Sequence, residues 1–162
     1  MIRSSNYPDE HAALVDAVAT EVARAQSATA EVDEAAARIL GIHATDLRVL
    51  GQLFGEGPTT AGALARKTRL SPGAMTAAID RLERARYVER VRDDGDRRRV
   101  TVRITNPALD AMARIWGPIA DAGRSQLAAY DERDLRLLHD FLVRSRELQE
   151  REAERIRQLR PG

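Results

Sequence analysis

The chain of 162 residues contains no cysteine. Disulfides, thiolate metal sites and cysteine redox chemistry are thereby excluded. Aromatic residues make up only 4% against a hydrophobic share of 43%, so any core is an aliphatic one rich in Ala, Leu and Val. No stretch approaches the run of about 18 apolar residues that marks a membrane span. The N-terminal MIRSSNYPDEH lacks the apolar h-region of a secretory leader. Together these point to a soluble, cytoplasmic type of chain with no membrane partner. His11, His43 and His139 stand apart from one another, without the spacing a metal site requires. No nucleophile elbow, P-loop or dinucleotide fingerprint is present, and the paired acids Asp93-Asp94 sit in a turn. The expectation is a chain that is not an enzyme and carries no cofactor.

A formal net charge of +1 excludes little until its distribution is followed. Residues 61–104 carry twelve Arg and Lys against six Asp and Glu, whereas the rest of the chain carries fourteen against nineteen. A basic middle between acidic ends is the electrostatic footprint of a nucleic-acid-binding module held in a larger scaffold. Taken alone, such a run reads equally well as a solvated face. The pattern around it decides.

Pro8-Asp9-Glu10 opens a helix, since proline suits a first turn and acids favour the N-terminal dipole. Leu14, Val15, Val18 and Val22 recur on one face of it. Ser27-Ala28-Thr29 weakens the pattern, and a second short helix over DEAAARIL ends at Gly41 as its C-cap. Thr45 reads as the cap of a third helix with Leu47, Leu50, Leu53 and Phe54 on its buried side, stopped by Gly55-Glu56-Gly57-Pro58.

Thr60 precedes AGALARKT, a two-turn helix that buries Leu64 and Ala65. Ser71-Pro72, a serine N-cap with proline at N1, then starts a longer helix to about Ala85, with Met75, Ile79 and Leu82 facing inward. Two such helices joined by a tight turn make a helix-turn-helix. YVERV and RRVTVRI follow as strands, with Val100, Val102 and Ile104 alternating with Thr101 and Arg103. Asp93-Asp94-Gly95-Asp96 forms the turn between them. A helix-turn-helix followed at once by a β-hairpin is a winged helix, so the fold class expected is mainly α with a small β-hairpin.

After Thr105-Asn106-Pro107 a long helix places Leu109, Met112, Ala113, Ile115 and Trp116 on its apolar side, kinked or locally broken at Gly117-Pro118. Asp131 caps a last helix whose stripe is Leu135, Leu138, Phe141, Leu142 and Leu148. Its end, RSRELQEREAERIRQLR, is charged and sparsely apolar. It packs against a partner helix or is a solvated tail.

The run LARKTRLSPGAMTAAIDRLERARYVERVRDDGDRRRVTVRIT, residues 64–105, resembles the winged-helix core of the MarR family of bacterial transcriptional regulators. The likeness is carried by LSPG…DRLE, by YVERV, and by Asp96-x-Arg98 leading to Ile104-Thr105. It extends to the TDLRVL helix before the domain and to the GP-containing helix and long final helix after it. The resemblance implies dimerisation helices over 8–44 and 106–159 around a winged helix-turn-helix at 45–105. It further implies a homodimer, usually a repressor, on a palindromic operator in double-stranded DNA, released by a small aromatic or phenolic effector. The absence of cysteine argues against the thiol-based peroxide sensing that some relatives use.

On this likeness the recognition helix enters the major groove with its first turns at the base edges. Ser71 and Thr76 hydrogen-bond bases or phosphates, Gly73 and Ala74 permit close approach, and Pro72 makes apolar contact only. Ala77 stands where many relatives carry a long polar side chain, so direct readout is modest. Arg81 is placed for phosphate, as is the helix start near Thr60. Asp96 and Arg98 resemble the wing's characteristic pair, a carboxylate bracing a guanidinium aimed at a narrow minor groove, or else a plain surface ion pair. Arg97 and Arg99 are phosphate contacts or solvated.

Arg86 departs from the family pattern, where glycine is usual, and implies strain or a different C-cap. His43, Asp46 and Arg48 resemble a region lining effector pockets, and read equally as interface or surface residues and a helix-start acid. Two other functions stay open. Ala77-Ala78 motivates a sequence-tolerant architectural DNA-binding protein, and the acidic helical arms motivate a dimeric carrier or interaction protein.

Overall fold

The computed structural model of the chain describes residues 9–92 and 100–159. In chain order the elements are α1 (Asp9–Leu40), α2 (Ala44–Glu56), β1 (Thr59–Thr60), α3 (Ala61–Thr68), α4 (Pro72–Arg84), β2 (Val88–Arg92), β3 (Val100–Ile104), α5 (Asn106–Leu127) and α6 (Glu132–Arg157). Two compact units divide within α5, one through Ala113 and the other from Arg114. The mainly helical winged-helix architecture agrees with the sequence pattern.

In the first unit, α1 is one helix where the sequence suggests two. The hydroxyls of Ser27 and Thr29 donate to the carbonyls of Ala23 and Ala25, at 3.2 and 2.9 Å. Back-bonding of this kind gives a polar β-hydroxyl a place inside a helix, so the pair does not end it. The helix stops where expected: Gly41 takes φ +66° and the Ile42 N–H reaches back to the Ala37 carbonyl at 3.0 Å. Only its last turn, Ala36, Ala37 and Leu40, is buried.

The start of α2 also differs from expectation. Its N-cap is His43, with no side-chain cap bond, and Thr45 lies inside the first turn. Leu47, Leu50 and Leu53 face the core as predicted, joined by Val49, but Phe54 is 62% exposed. One residue beyond Leu53 is a rotation of about 100° around the helix, and that carries the ring out of the buried sector.

Val49, Leu50 and Leu53 of α2, Leu64 of α3, Met75, Ala78, Ile79 and Leu82 of α4, Val88 of β2 and Val102 of β3 form one cluster, each at most 2% exposed. Full burial of each larger aliphatic side chain contributes roughly 1.5–3 kcal/mol, so this cluster is what holds α4 on its platform. The sheet has the order β1-β3-β2. The β2–β3 hairpin is the expected one, registered from Val88 opposite Ile104 to Arg92 opposite Val100. β1 is a third, unpredicted strand, with Thr59 opposite Val102 and Thr60 opposite Thr101.

α5 begins with Ala108 and Met112 buried in this unit, while Leu109 and Ala113 are exposed. The buried face therefore lies to one side of the expected stripe. The helix runs unbroken through Gly117-Pro118, although proline has no N–H to give the carbonyl four residues back. In the second unit, Asp131 caps α6 as predicted, its side chain accepting from the Asp134 N–H at 2.8 Å. No residue of α6 is buried.

Candidate nucleic-acid interface

The two short helices of the helix-turn-helix start on hydroxyl caps. Thr60 Oγ1 accepts from the Ala63 N–H at 3.3 Å and Ser71 Oγ from the Ala74 N–H at 3.2 Å, each satisfying one of the free donors of a first turn. Between them, Arg69 ends α3 in the left-handed conformation at φ 57°, and the Leu70 N–H bonds to the Ala65 carbonyl at 3.0 Å. This turn opens a cavity of about 610 Å³ between α3 and the first two turns of α4. Ala65, Leu70 and Met75 make its apolar part, with Arg66, Arg69, Ser71, Pro72 and Thr76 around it.

The exposed face of α4 in those turns is Pro72, Gly73, Ala74, Thr76 and Ala77. Thr76 Oγ1 donates to the Pro72 carbonyl at 3.0 Å. Such a surface is small, apolar and closely approachable. Its hydrogen-bonding groups are hydroxyls rather than long donors.

Arg81 lies one turn further on and is engaged within the domain. Its Nε and Nη2 donate to Asp46 Oδ2 and Oδ1 at 2.9 and 2.5 Å, a fork-on-fork pair that fixes both angle and distance. Asp46 is 1% exposed, and its bonds hold the Arg81 guanidinium above its ordinary pKa, the more so for the attraction between the charges. The pair ties α2 to α4. Arg48, also on α2 and exposed, donates to the Thr68 carbonyl at the end of α3 at 2.8 Å. Of the three residues read as pocket lining, Asp46 and Arg48 therefore support the helix-turn-helix from behind, and His43 stands exposed at the start of α2.

A second ion-pair group joins α4 to the hairpin. Arg90 of β2 binds Asp80 and Glu83 of α4, and the Asp80 bond above all keeps its pKa raised. Arg86, the departure noted in the sequence, retains the left-handed conformation at φ 61°. Its carbonyl accepts from Thr105 Oγ1 at 2.7 Å. The next residue, Tyr87, donates its hydroxyl to the Leu40 carbonyl at 2.9 Å, which fastens the end of α1 to the winged helix. Asp96, Arg97, Arg98 and Arg99 lie outside the described residues.

Of the residues singled out by sequence, Pro72, Gly73, Ala74, Thr76 and Ala77 lie on the exposed face of α4, Ser71 caps that helix, and Thr60 caps α3. Sequence reasoning did not place Arg66 and Arg69 at the cavity beside Ser71 and Pro72, and it missed the partners of Arg81 and Arg90. Among the described residues no group of three or more His, Cys, Asp or Glu could hold a metal ion, and no helix is long and apolar enough to cross a membrane.

A capped, apolar-cored helix-turn-helix with a paired hairpin at its side is the winged helix of DNA-binding transcriptional regulators. Comparison with known proteins narrows the class. The profile of the MarR family matches residues 40–99. YcgE, an uncharacterized HTH-type transcriptional regulator of Bacillus subtilis, is 38% identical over 125 residues, covering 77% of this chain and 81% of YcgE. The crystal structure of RV1404 from Mycobacterium tuberculosis superposes with a TM-score of 0.65 at 17% identity, over 89% of this chain and 97% of that one. NadR in complex with 4-hydroxyphenylacetate gives 0.57 at 19% identity, over 89% and 96%. The chain belongs to the MarR family.

Proposed function

We propose that the chain acts as a homodimer that represses transcription from a palindromic operator, and that a small aromatic or phenolic effector releases it. The observation that carries the dimer is uncovered apolar surface on the helical arms. Leu14 of α1 is 64% exposed, and Leu137 and Leu142 of α6 are 68% and 61% exposed. Helices bearing such faces bury them against another chain, and a second copy presents the same faces, which a two-fold axis matches to each other. In this reading α1, α5 and α6 are the dimerisation helices, and residues 45–105 bind DNA.

The first turns of α4 enter the major groove, with Ser71 and Thr76 at bases or phosphates and the helix start at Thr60 on the backbone. Arg98, braced by Asp96, enters the minor groove, and Arg97 and Arg99 contact phosphate. Arg81 acts on DNA by holding α4 in place. His43, exposed at the start of α2, and Arg48, exposed beside its bond to the Thr68 carbonyl, are the residues assigned to an effector in this reading. The aromatic class of that effector is supported by the fold likeness to NadR, which holds 4-hydroxyphenylacetate.

Footprinting on genomic fragments selected by the purified chain tests the proposal. Protection over an inverted repeat with half-sites about one helical turn apart is expected. Binding with no enriched palindrome and little preference over competitor DNA would instead make the chain a sequence-tolerant architectural protein.

A further inference from the structure

Three groups of a single residue, Tyr87, reach toward three different helices. Its N–H donates to the Leu82 carbonyl near the end of α4 at 2.9 Å. Its hydroxyl donates to the Leu40 carbonyl at the end of α1, also at 2.9 Å. Its carbonyl accepts from the N–H of Thr105, the residue just ahead of α5, at 3.1 Å. The Thr105 hydroxyl extends this junction on both sides. It donates to the Arg86 carbonyl at 2.7 Å and accepts from the Ala108 N–H in the first turn of α5 at 3.3 Å.

The two hydroxyls make bonds that packing alone would not require. The last carbonyls of a helix have no partner within it, and the Leu40 carbonyl takes one from a side chain 47 positions away. Leu40 is 8% exposed and Ala108 is 1% exposed, so each bond is made where the backbone is anchored on its buried side. The Tyr87 ring packs against the aliphatic core that carries α4. A phenylalanine would fill the same space; only the hydroxyl adds a direction, because a hydrogen bond weakens steeply with misalignment. The directions in which α1 ends and α5 begins are thereby referred to the end of α4.

We infer that Tyr87 and Thr105 are positioning residues for DNA binding. Their hydroxyls fix the angle of α4 against the flanking helices α1 and α5, and so select the spacing between two half-sites. The inference rests on the homodimer and palindrome proposed above, in which α1 and α5 join the two copies. A duplex makes that angle matter, since one added base pair moves a half-site by about 3.4 Å and turns it by about 35° around the axis.

The test measures binding of the full-length chain, by fluorescence anisotropy, to duplexes built from its own selected operator. Two half-sites stand at the selected spacing, one base pair closer or one base pair farther, and a fourth duplex carries one half-site alone. The variants are Tyr87→Phe, Thr105→Val and Thr105→Ser, with fold checked by circular dichroism and assembly by sedimentation. The wild type should lose affinity at both altered spacings. Tyr87→Phe and Thr105→Val should bind the selected spacing about fivefold more weakly, the scale of one hydrogen bond. They should bind the altered spacings at least as well as the wild type does, and the single half-site equally well. Thr105→Ser, which keeps the hydroxyl, should restore the wild-type profile. Should Thr105→Val not fold, Tyr87→Phe carries the test by itself.

Weakening by one common factor on every duplex, the single half-site included, would overturn the inference, because the hydroxyls then serve only the stability of the winged helix. Variants with the wild-type spacing profile and affinity would overturn it too. A wild-type chain indifferent to spacing would overturn both the inference and the palindromic reading, whereas failure of the inference alone leaves the wild-type preference in place.

Discussion

Replacing Arg86 by glycine should make the protein more stable, and the size of the gain follows from the end of α4. Arg86 sits at φ 61° with its N–H on the Glu83 carbonyl, while the Tyr87 N–H reaches the Leu82 carbonyl, both at 2.9 Å. This is a Schellman-type closure made by a residue with a Cβ. For such a residue the left-handed conformation costs about 1–2 kcal/mol. Glycine removes that cost and returns about 0.5–1 kcal/mol to the freer unfolded chain. The Thr105 bond to the carbonyl, at 2.7 Å, does not depend on the side chain and stays.

The net expectation is a stabilisation of about 0.5–1 kcal/mol for Arg86→Gly. Arg86→Ala keeps the strain and gains nothing, so the two variants separate the backbone from the loss of charge. The assay is urea unfolding followed by circular dichroism at one fixed protein concentration, because in the proposed dimer the midpoint depends on concentration. With a slope of about 2–3 kcal/mol per molar, the glycine midpoint should lie about 0.3 M above the alanine one at equal slopes. A glycine variant no more stable than the alanine variant would refute the claim that α4 ends under strain.

Other expectations concern the caps, the buried pair and the arms. Ser71→Ala leaves the Ala74 N–H without its cap and should cost about 1 kcal/mol, a fall in Tm of about 2–4 °C for a chain of this size. Ser71→Asp should hold the Tm and weaken DNA binding by adding a negative charge at the phosphates. Asp46→Leu should lower the Tm by leaving Arg81 unpaired, and the double variant Asp46→Leu, Arg81→Met should recover most of the loss, since the buried carboxylate and the half-buried guanidinium are then both replaced by apolar packing. A double variant as unstable as the single one would mean that the pair is not the cause. Leu137→Glu combined with Leu142→Glu should shift the sedimentation mass from dimer to monomer, and an unchanged dimer would place the interface elsewhere.

Much of the fold was legible because its signals are local. A cap acts within one turn, so Thr60, Ser71-Pro72 and Asp131 marked their helix starts without reference to anything distant. The alternation of Val100, Val102 and Ile104 likewise needs only neighbours two residues apart. Elements that depend on a distant partner were not legible. β1 is two threonines with no period of their own and exists by pairing with β3. The continuity of α1 depended on which carbonyl each hydroxyl found, a choice that composition leaves open.

The charges show the same division most clearly. By itself the sequence determined that a basic segment lies on a capped helix-turn-helix with a hairpin, and hence the class of partner, because charge and helix periodicity are properties of consecutive residues. It could not say which arginines face outward. Arg81 is 35 positions from Asp46, and Tyr87 is 47 from Leu40. Only packing of α2 and α4 on their shared aliphatic core brings the first pair together. The tertiary structure therefore decided that Arg81 braces α4 against α2 through Asp46, since an ion's role follows from what it faces after burial.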